Sequence, residues 1–174
     1  MTDTLCIALT QINPTVGDVV GNVACLRRAR ADAAAKGADL VVSSELVVSG
    51  YPPEDLVVRP VFQDTVEREI GALAAETADG GPGMLIGAPW IQDGKLYNAA
   101  LLLDGGGIVA VRLKHDLPNY GVFDEKRVFE IGPLPGPMNF RGVRLGVMVC
   151  EDMWAGDVTE CLEESGAEIL VVIN

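Results

Sequence analysis

Histidine is almost missing from this 174-residue chain: His115 is the only one. That scarcity removes most zinc and transition-metal sites, and the four cysteines (Cys6, Cys25, Cys150 and Cys161) show no paired metal-ligand spacing. A Ser-His-Asp arrangement would have to use His115, and no serine lies in a Gly-x-Ser-x-Gly turn. Positive charge is also scarce: 13 Lys and Arg stand against 25 Asp and Glu, a net charge of -12. Without a basic cluster, nucleic acid and anionic membrane are poor partners, because phosphate binding needs a basic face. Long apolar runs are absent too, Ile169 to Ile173 falling far short of the roughly 20 residues of a membrane span. The opening Met1-Thr2-Asp3-Thr4 carries no basic segment followed by an apolar one, so no signal peptide is expected. Scattered cysteines without export signals suit a reducing cytoplasm. Gly80-Gly81-Pro82-Gly83 lacks the lysine and hydroxyl residue of a phosphate loop.

What remains is a chain that is 49% apolar, enough to build a full core. Short apolar runs bounded by Gly, Pro, Asn or Asp predict strands at Leu5–Thr10, Leu40–Ser43, Met84–Ala88, Asn98–Leu103, Ile108–Leu113, Arg144–Val149 and Ile169–Ile173. Gly105-Gly106-Gly107 and Arg141-Gly142-Val143 read as hairpin turns, the second with an arm near Met138–Phe140. One helix is expected from Asn22, as N-cap, to Lys36, with Gly37 after its end; a second follows Pro60. A third has Asp157 and Glu160 in capping-box positions and stops at Gly166. Helices between apolar strands predict parallel crossovers, and the hairpins add antiparallel strands. The expectation is an α/β fold: one mixed sheet with helices on one face and a second sheet or another subunit on the other. Ile169–Ile173 reads as a central strand followed only by Asn174, so the 174 residues are expected to be part of a longer protein.

Three reactive side chains stand just beyond predicted strands. Glu45 follows Leu40 to Ser44, Lys114 follows Ile108 to Leu113, and Cys150 follows Arg144 to Val149. Ligands gather outside the carboxyl ends of strands in such sheets, so neighbouring strands running the same way would bring the three to one rim. Together they make chemical sense. A thiol needs a base or a nearby cation to become a nucleophile; Glu45 can take its proton, and Lys114 can stabilise the thiolate and a tetrahedral oxyanion. The backbone N–H after Cys150 would be a second oxyanion donor. Taken singly, each residue has a plainer reading. A cysteine ending a strand is more often a small buried hydrophobe, and Glu45 and Lys114 could be rim residues or a structural ion pair. Joint placement at three strand ends is what favours chemistry. Cys6, Cys25 and Cys161 are read as core, and His115 as a neighbour of the lysine without catalytic duty.

The words around these residues resemble the nitrilase, or carbon–nitrogen hydrolase, superfamily. Ser44-Glu45-Leu46 leads into Gly50-Tyr51-Pro52-Pro53-Glu54-Asp55-Leu56, the run from Lys114 through Pro118-Asn119-Tyr120-Gly121 to Glu125-Lys126-Arg127 is the most specific, and Cys150-Glu151-Asp152-Met153-Trp154 is the third. Within the superfamily they are most similar to the N-terminal glutaminase domains of glutamine-dependent NAD synthetases. The resemblance implies an α/β/β/α four-layer sandwich, here incomplete at its C-terminal end, and one glutaminase domain over residues 1–174. It implies a Glu–Lys–Cys triad on Glu45, Lys114 and Cys150, glutamine held by Tyr120 and Glu151, and Glu125 as a second glutamate beside Lys114. It further implies that ammonia from glutamine reaches a synthetase domain, where ATP and magnesium serve the conversion of deamido-NAD to NAD; the glutaminase step itself needs no cofactor and no metal. A homo-oligomer is the expected assembly. A stand-alone nitrilase-type amidase and a non-catalytic assembly module are the competing readings.

Overall fold

In the computed structural model, which describes residues 4–174, eight strands and three α-helices form two sheets with helices outside them. Met1–Asp3, part of the segment read for a leader, lies outside the described residues. The first sheet holds β1 (Ile7–Leu9), β2 (Leu40–Val42), β3 (Gly83–Gln92), β4 (Lys95–Asp104) and β5 (Gly107–Leu113) in that order. β1, β2 and β3 are parallel, whereas β3–β4 and β4–β5 are antiparallel hairpins. The second sheet holds β6 (Met138–Phe140), β7 (Val143–Val149) and β8 (Ile169–Ile173), with β6–β7 antiparallel and β7–β8 parallel.

Side-chain alternation explains why the layers stack. On β2, β3 and β4, Val41, Met84, Ile86, Leu101 and Leu103 point to the helices α1 (Val19–Ala35) and α2 (Pro60–Glu76). Their neighbours Leu40, Val42, Leu85, Ala100 and Leu102 point the other way, onto Phe140, Leu145, Val147 and Val171 of the second sheet. Helix α3 (Gly156–Glu164) covers the far side of that sheet, its Val158 and Leu162 packing on Met148 of β7. The result is the α/β/β/α sandwich. Burying one such Leu or Val stabilises the fold by about 1.5–3 kcal/mol.

The strands fall where expected and divide between a mixed sheet and the second sheet on its open face. Residues 114–137 contain no strand, and the chain crosses from one sheet to the other there. The second sheet therefore supplies the partner that the open face required. Each hairpin closes on two residues with positive φ: Asp93-Gly94, Gly105-Gly106 and Arg141-Gly142. Such turns match the twist of the flanking strands. The Asp93-Gly94 turn extends β3 beyond the expected Met84–Ala88, through Pro89. Pro89 is tolerated because β2 pairs only with Gly83–Leu85, so no ladder on that side needs its missing N–H.

Other expectations need correction. The first helix starts a turn early, with Asp18 accepting from Gly21 N at 2.9 Å; Asn22 is inside it, bonding Thr15 and Val48 instead of capping. The third helix is preceded by Ala155 and has no side-chain cap, so the capping box of Asp157 and Glu160 does not form. β8 pairs with β7 and is the outermost strand of the second sheet among the described residues. Cys6 precedes β1 and is exposed, while Cys25 and Cys161 are only half-buried, so none of the three is core.

Candidate active site

Glu45, Lys114 and Cys150 meet at one rim, though not because their strands are neighbours. β3 and β4 separate β2 from β5, and β7 belongs to the other sheet. Two fastenings bring the ends together. Arg112, on β5 and buried, reaches across the sandwich to donate from Nε to Val147 O at 2.9 Å and from Nη2 to Gly136 O. Asp152, fully buried, accepts from His115 N (3.0 Å) and Asp116 N (2.8 Å) with Oδ1 and from Val149 N (3.0 Å) with Oδ2. One carboxylate thus ties the turn after Lys114 to the turn that bears Cys150.

The segment after β2 is buried, and Glu45 can enter it because β3 offers a glycine. A Cβ at Gly87 would lie 2.5 Å from Leu46 N and 2.8 Å from Glu45 Cα. Lys114 continues β5, its N–H donating to Asn98 O on β4 at 2.9 Å. Gly132 presses against the same strand end, where a Cβ would meet Leu113 O at 2.6 Å, and its N–H donates to Lys114 O. Cys150 sits at φ +46, in the left-handed region that side-chain-bearing residues rarely adopt. The backbone then turns at once into a short 3-10 helix, Cys150–Met153.

Charge decides the character of the site. Lys114 is 0% exposed, the largest wholly buried side chain of the described residues. A buried ammonium is tolerated only when paired. Its Nζ donates to Glu45 Oε1 at 2.7 Å and to both oxygens of Glu125 at 3.0 Å. Burial alone would lower the Lys114 pKa, but the two carboxylates outweigh it and hold the value above the usual lysine range. Burial raises the Glu125 carboxyl, against the pull of Lys114. The Cys150 thiol is pushed up to about 11, by burial first and by Glu45 next; the attraction of Lys114 does not compensate. At neutral pH the resting sulfur is therefore a thiol, and a base must take its proton when it attacks.

At the mouth, Tyr120 donates its hydroxyl to Glu151, 3.1 Å from Oε1 and 3.0 Å from Oε2, and that bond raises the phenol's pKa. An open cleft of about 390 Å³ runs beside this pair, lined also by His115, Asp116 and Trp154. His115 is turned from the cluster, its Nδ1 2.6 Å from Gly132 O. The six residues singled out from sequence thus lie at one rim, Glu45, Lys114, Glu125 and Cys150 inside and Tyr120 and Glu151 at the opening.

Sequence reasoning missed Asn98, Asp152 and Tyr51 as site residues. Asn98 is fully buried and donates its Nδ2 to Glu45 Oε1 at 2.8 Å and to Glu125 Oε2 at 3.3 Å. Burial first, and then the nearby Glu45, Glu125, Cys150 and Glu151, raise the phenol pKa of Tyr51. A signal existed for Asp152, an acid three residues past a strand-ending valine; Asn98 looked like a strand boundary.

Fold and site define a class of protein: a four-layer sandwich whose rim gathers a strained cysteine, a buried lysine and two glutamates. The chain belongs to the carbon–nitrogen hydrolase family, whose model matches residues 6–174. It is 43% identical to the glutamine-dependent NAD(+) synthetase of Rhodobacter capsulatus over 174 residues, all of this chain and 31% of that protein. The structure is similar to the glutamine-dependent NAD+ synthetase of Acinetobacter baumannii in complex with ADP, with a TM-score of 0.90 and 34% identity over 97% of this chain and 32% of the other. An amidase from Nesterenkonia sp. matches with a TM-score of 0.82 and 25% identity, over 97% of this chain and 64% of that one. The chain spans about a third of the synthetases it matches, 31% and 32% in these two comparisons. No helix of the described residues is long and apolar enough to cross a membrane.

Proposed function

We propose that this chain hydrolyses the side-chain amide of glutamine through a thioester on Cys150, feeding ammonia to an ATP- and magnesium-using synthetase domain that amidates deamido-NAD to NAD. The observation that carries the chemistry is the wholly buried Lys114, held between Glu45 at 2.7 Å and Glu125 at 3.0 Å beside the positive-φ Cys150. A structural ion pair needs neither the third charge nor a cysteine in a strained turn. The choice of glutamine is supported by the synthetase relatives and by Tyr120 and Glu151 at the opening, where Glu151 suits an α-ammonium.

In this reading Glu45 takes the Cys150 proton as Sγ attacks the amide carbon. Lys114 and the N–H of Glu151 stabilise the oxyanion, and the C–N bond then breaks as Glu45 returns the proton to the leaving nitrogen. Water, deprotonated by Glu45, attacks the thioester; glutamate leaves and the thiol is restored. Glu125 keeps Lys114 charged and in place. No step on these residues calls for a metal or cofactor, and ATP and magnesium belong to the synthetase step. A cytoplasmic homo-oligomer remains the expected setting.

The test is made on the full-length protein supplied with glutamine, ATP, magnesium and deamido-NAD, measuring glutamate and NAD together. Wild type is expected to make both, and Cys150→Ala to make NAD only from added ammonium. Glutamate release that survives in Cys150→Ala would refute the nucleophile. The likeness to an amidase keeps a second reading open, an amidase acting on another small amide. Ammonia released from simple aliphatic amides but not from glutamine would decide for it.

A further inference from the structure

We infer that Asn98 is a positioning residue that sets which oxygen of Glu45 faces the thiol, by occupying Oε1 together with Lys114 and leaving Oε2 for Cys150. This rests on the reading of Glu45 as the base. Asn98 lies on β4, opposite Pro89 of β3, and its carbonyl accepts the Lys114 N–H at 2.9 Å. It therefore stands at the rim between the strands that lead to Glu45 and to Lys114. Its Nδ2 carries two hydrogens and spends one on each glutamate, at 2.8 Å from Glu45 Oε1 and 3.3 Å from Glu125 Oε2. Glu45 Oε1 also receives Lys114 Nζ at 2.7 Å, so that oxygen holds two donors. Neither donor reaches Glu45 Oε2, and the same carboxylate is hydrogen-bonded to the Cys150 side chain.

The other end of the amide shows that this arrangement is not there for stability alone. Asn98 Oδ1 and Asp116 Oδ2 are the buried side-chain oxygens that lack a hydrogen-bond partner among the described residues. A buried carbonyl oxygen left bare is costly, and turning the amide over would set that oxygen against two carboxylates. The amide is thus committed to donating. Hydrogen bonds to a charged carboxylate favour its charged form, which is the form a base needs. Because Glu45, Glu125 and Cys150 all lie near one another with only Lys114 as a cation, a neutral donor between the two carboxylates also keeps them apart without adding charge.

The experiment measures glutaminase kcat and KM for the full-length wild type, Asn98→Ala, Glu45→Gln and the double variant, with melting temperature as a check on folding. Asn98→Ala is expected to lower kcat roughly tenfold to a hundredfold, part of the 10²–10⁴ a general base contributes, with KM little changed. On top of Glu45→Gln, Asn98→Ala should cost almost nothing further, because both act through one group. Losses that multiply, or a loss that appears in KM and not in kcat, would overturn the assignment and leave Asn98 a packing residue. Full activity in Glu45→Gln would instead remove the base on which the inference stands. Should Asn98→Ala fail to fold, Asn98→Asp keeps the shape and exchanges the donor for a third carboxylate. Its kcat should fall at least as far with KM little changed, and an unchanged kcat would equally overturn the role.

Discussion

Two clusters in this molecule have nearly the same composition and opposite characters. Lys114 is ringed by Glu45 and Glu125, with side chains 0%, 6% and 7% exposed. Arg127, only two residues beyond Glu125, is ringed by Glu54, Asp55 and Asp124, with side chains 44% to 68% exposed. The outer cluster joins the loop after Tyr51 to the loop after Tyr120, and its cation can turn to water whenever a partner moves. The inner cluster has no such escape. Taking an ammonium and two carboxylates out of water costs more than their attraction readily returns, and replacing such groups with packed apolar side chains is often neutral or stabilising. An arrangement that stability does not require invites a chemical explanation, and the adjacent cysteine supplies one.

The largest expected effect comes from breaking the inner cluster at its centre. Lys114→Met should leave two buried carboxylates without a cation, costing about 3–5 kcal/mol of stability. Glutamine turnover should fall by about 10²–10³ or more through the lost oxyanion donor. Chemical denaturation and glutaminase assays of the same preparation check both. Near-normal turnover would remove Lys114 from the mechanism. Glu45→Gln keeps the shape and should cost about 10²–10⁴ in turnover with a smaller change in unfolding midpoint.

A subtler effect is the alkaline limit. The folded Lys114 pKa lies above the ordinary lysine value, so its stabilising charge is fully present below that ordinary value. The contribution is lost as pH rises through the still higher folded pKa. Unfolding midpoints should carry no Lys114 dependence below the ordinary lysine pKa and should decline between that value and the folded pKa, and Lys114→Met should abolish the decline. The smallest effect belongs to the outer cluster. Arg127→Ala should barely move the melting temperature, and what it moves should vanish in high salt. A large, salt-resistant loss would show that the two clusters are not as different as their exposure suggests.

How much could be read beforehand follows from what leaves a local trace. Glu45, Lys114 and Cys150 were visible because each is a reactive residue just past an apolar run. The strands were visible for the same reason, as alternation on β4 shows: Leu101 and Leu103 face the helices and Leu102 the second sheet. That alternation is identical whether strands share one sheet or form two, so the division after Leu113 left no trace in spacing. The residues alone left the open face to a second sheet or another subunit, and the resemblance to a four-layer family implied the sheet. Asn98 was hidden because a polar residue beside an apolar run reads as a boundary, while its partners stand 53 and 27 positions away. Asp152 was hidden inside a quoted motif, its three backbone bonds being a matter of folding and not of spacing. Cys6 was misplaced because β1 is short and on the sheet's edge, so apolar sequence there does not guarantee burial.

The most direct measurement is the covalent state of Cys150 during turnover. The full-length protein is mixed with glutamine, quenched in acid within a turnover, digested and analysed by mass spectrometry. The account predicts a glutamyl adduct on the peptide bearing Cys150, absent when glutamine is omitted and absent in Glu45→Gln. An unmodified Cys150 peptide during sustained glutamate release, or an adduct on another residue, would contradict it.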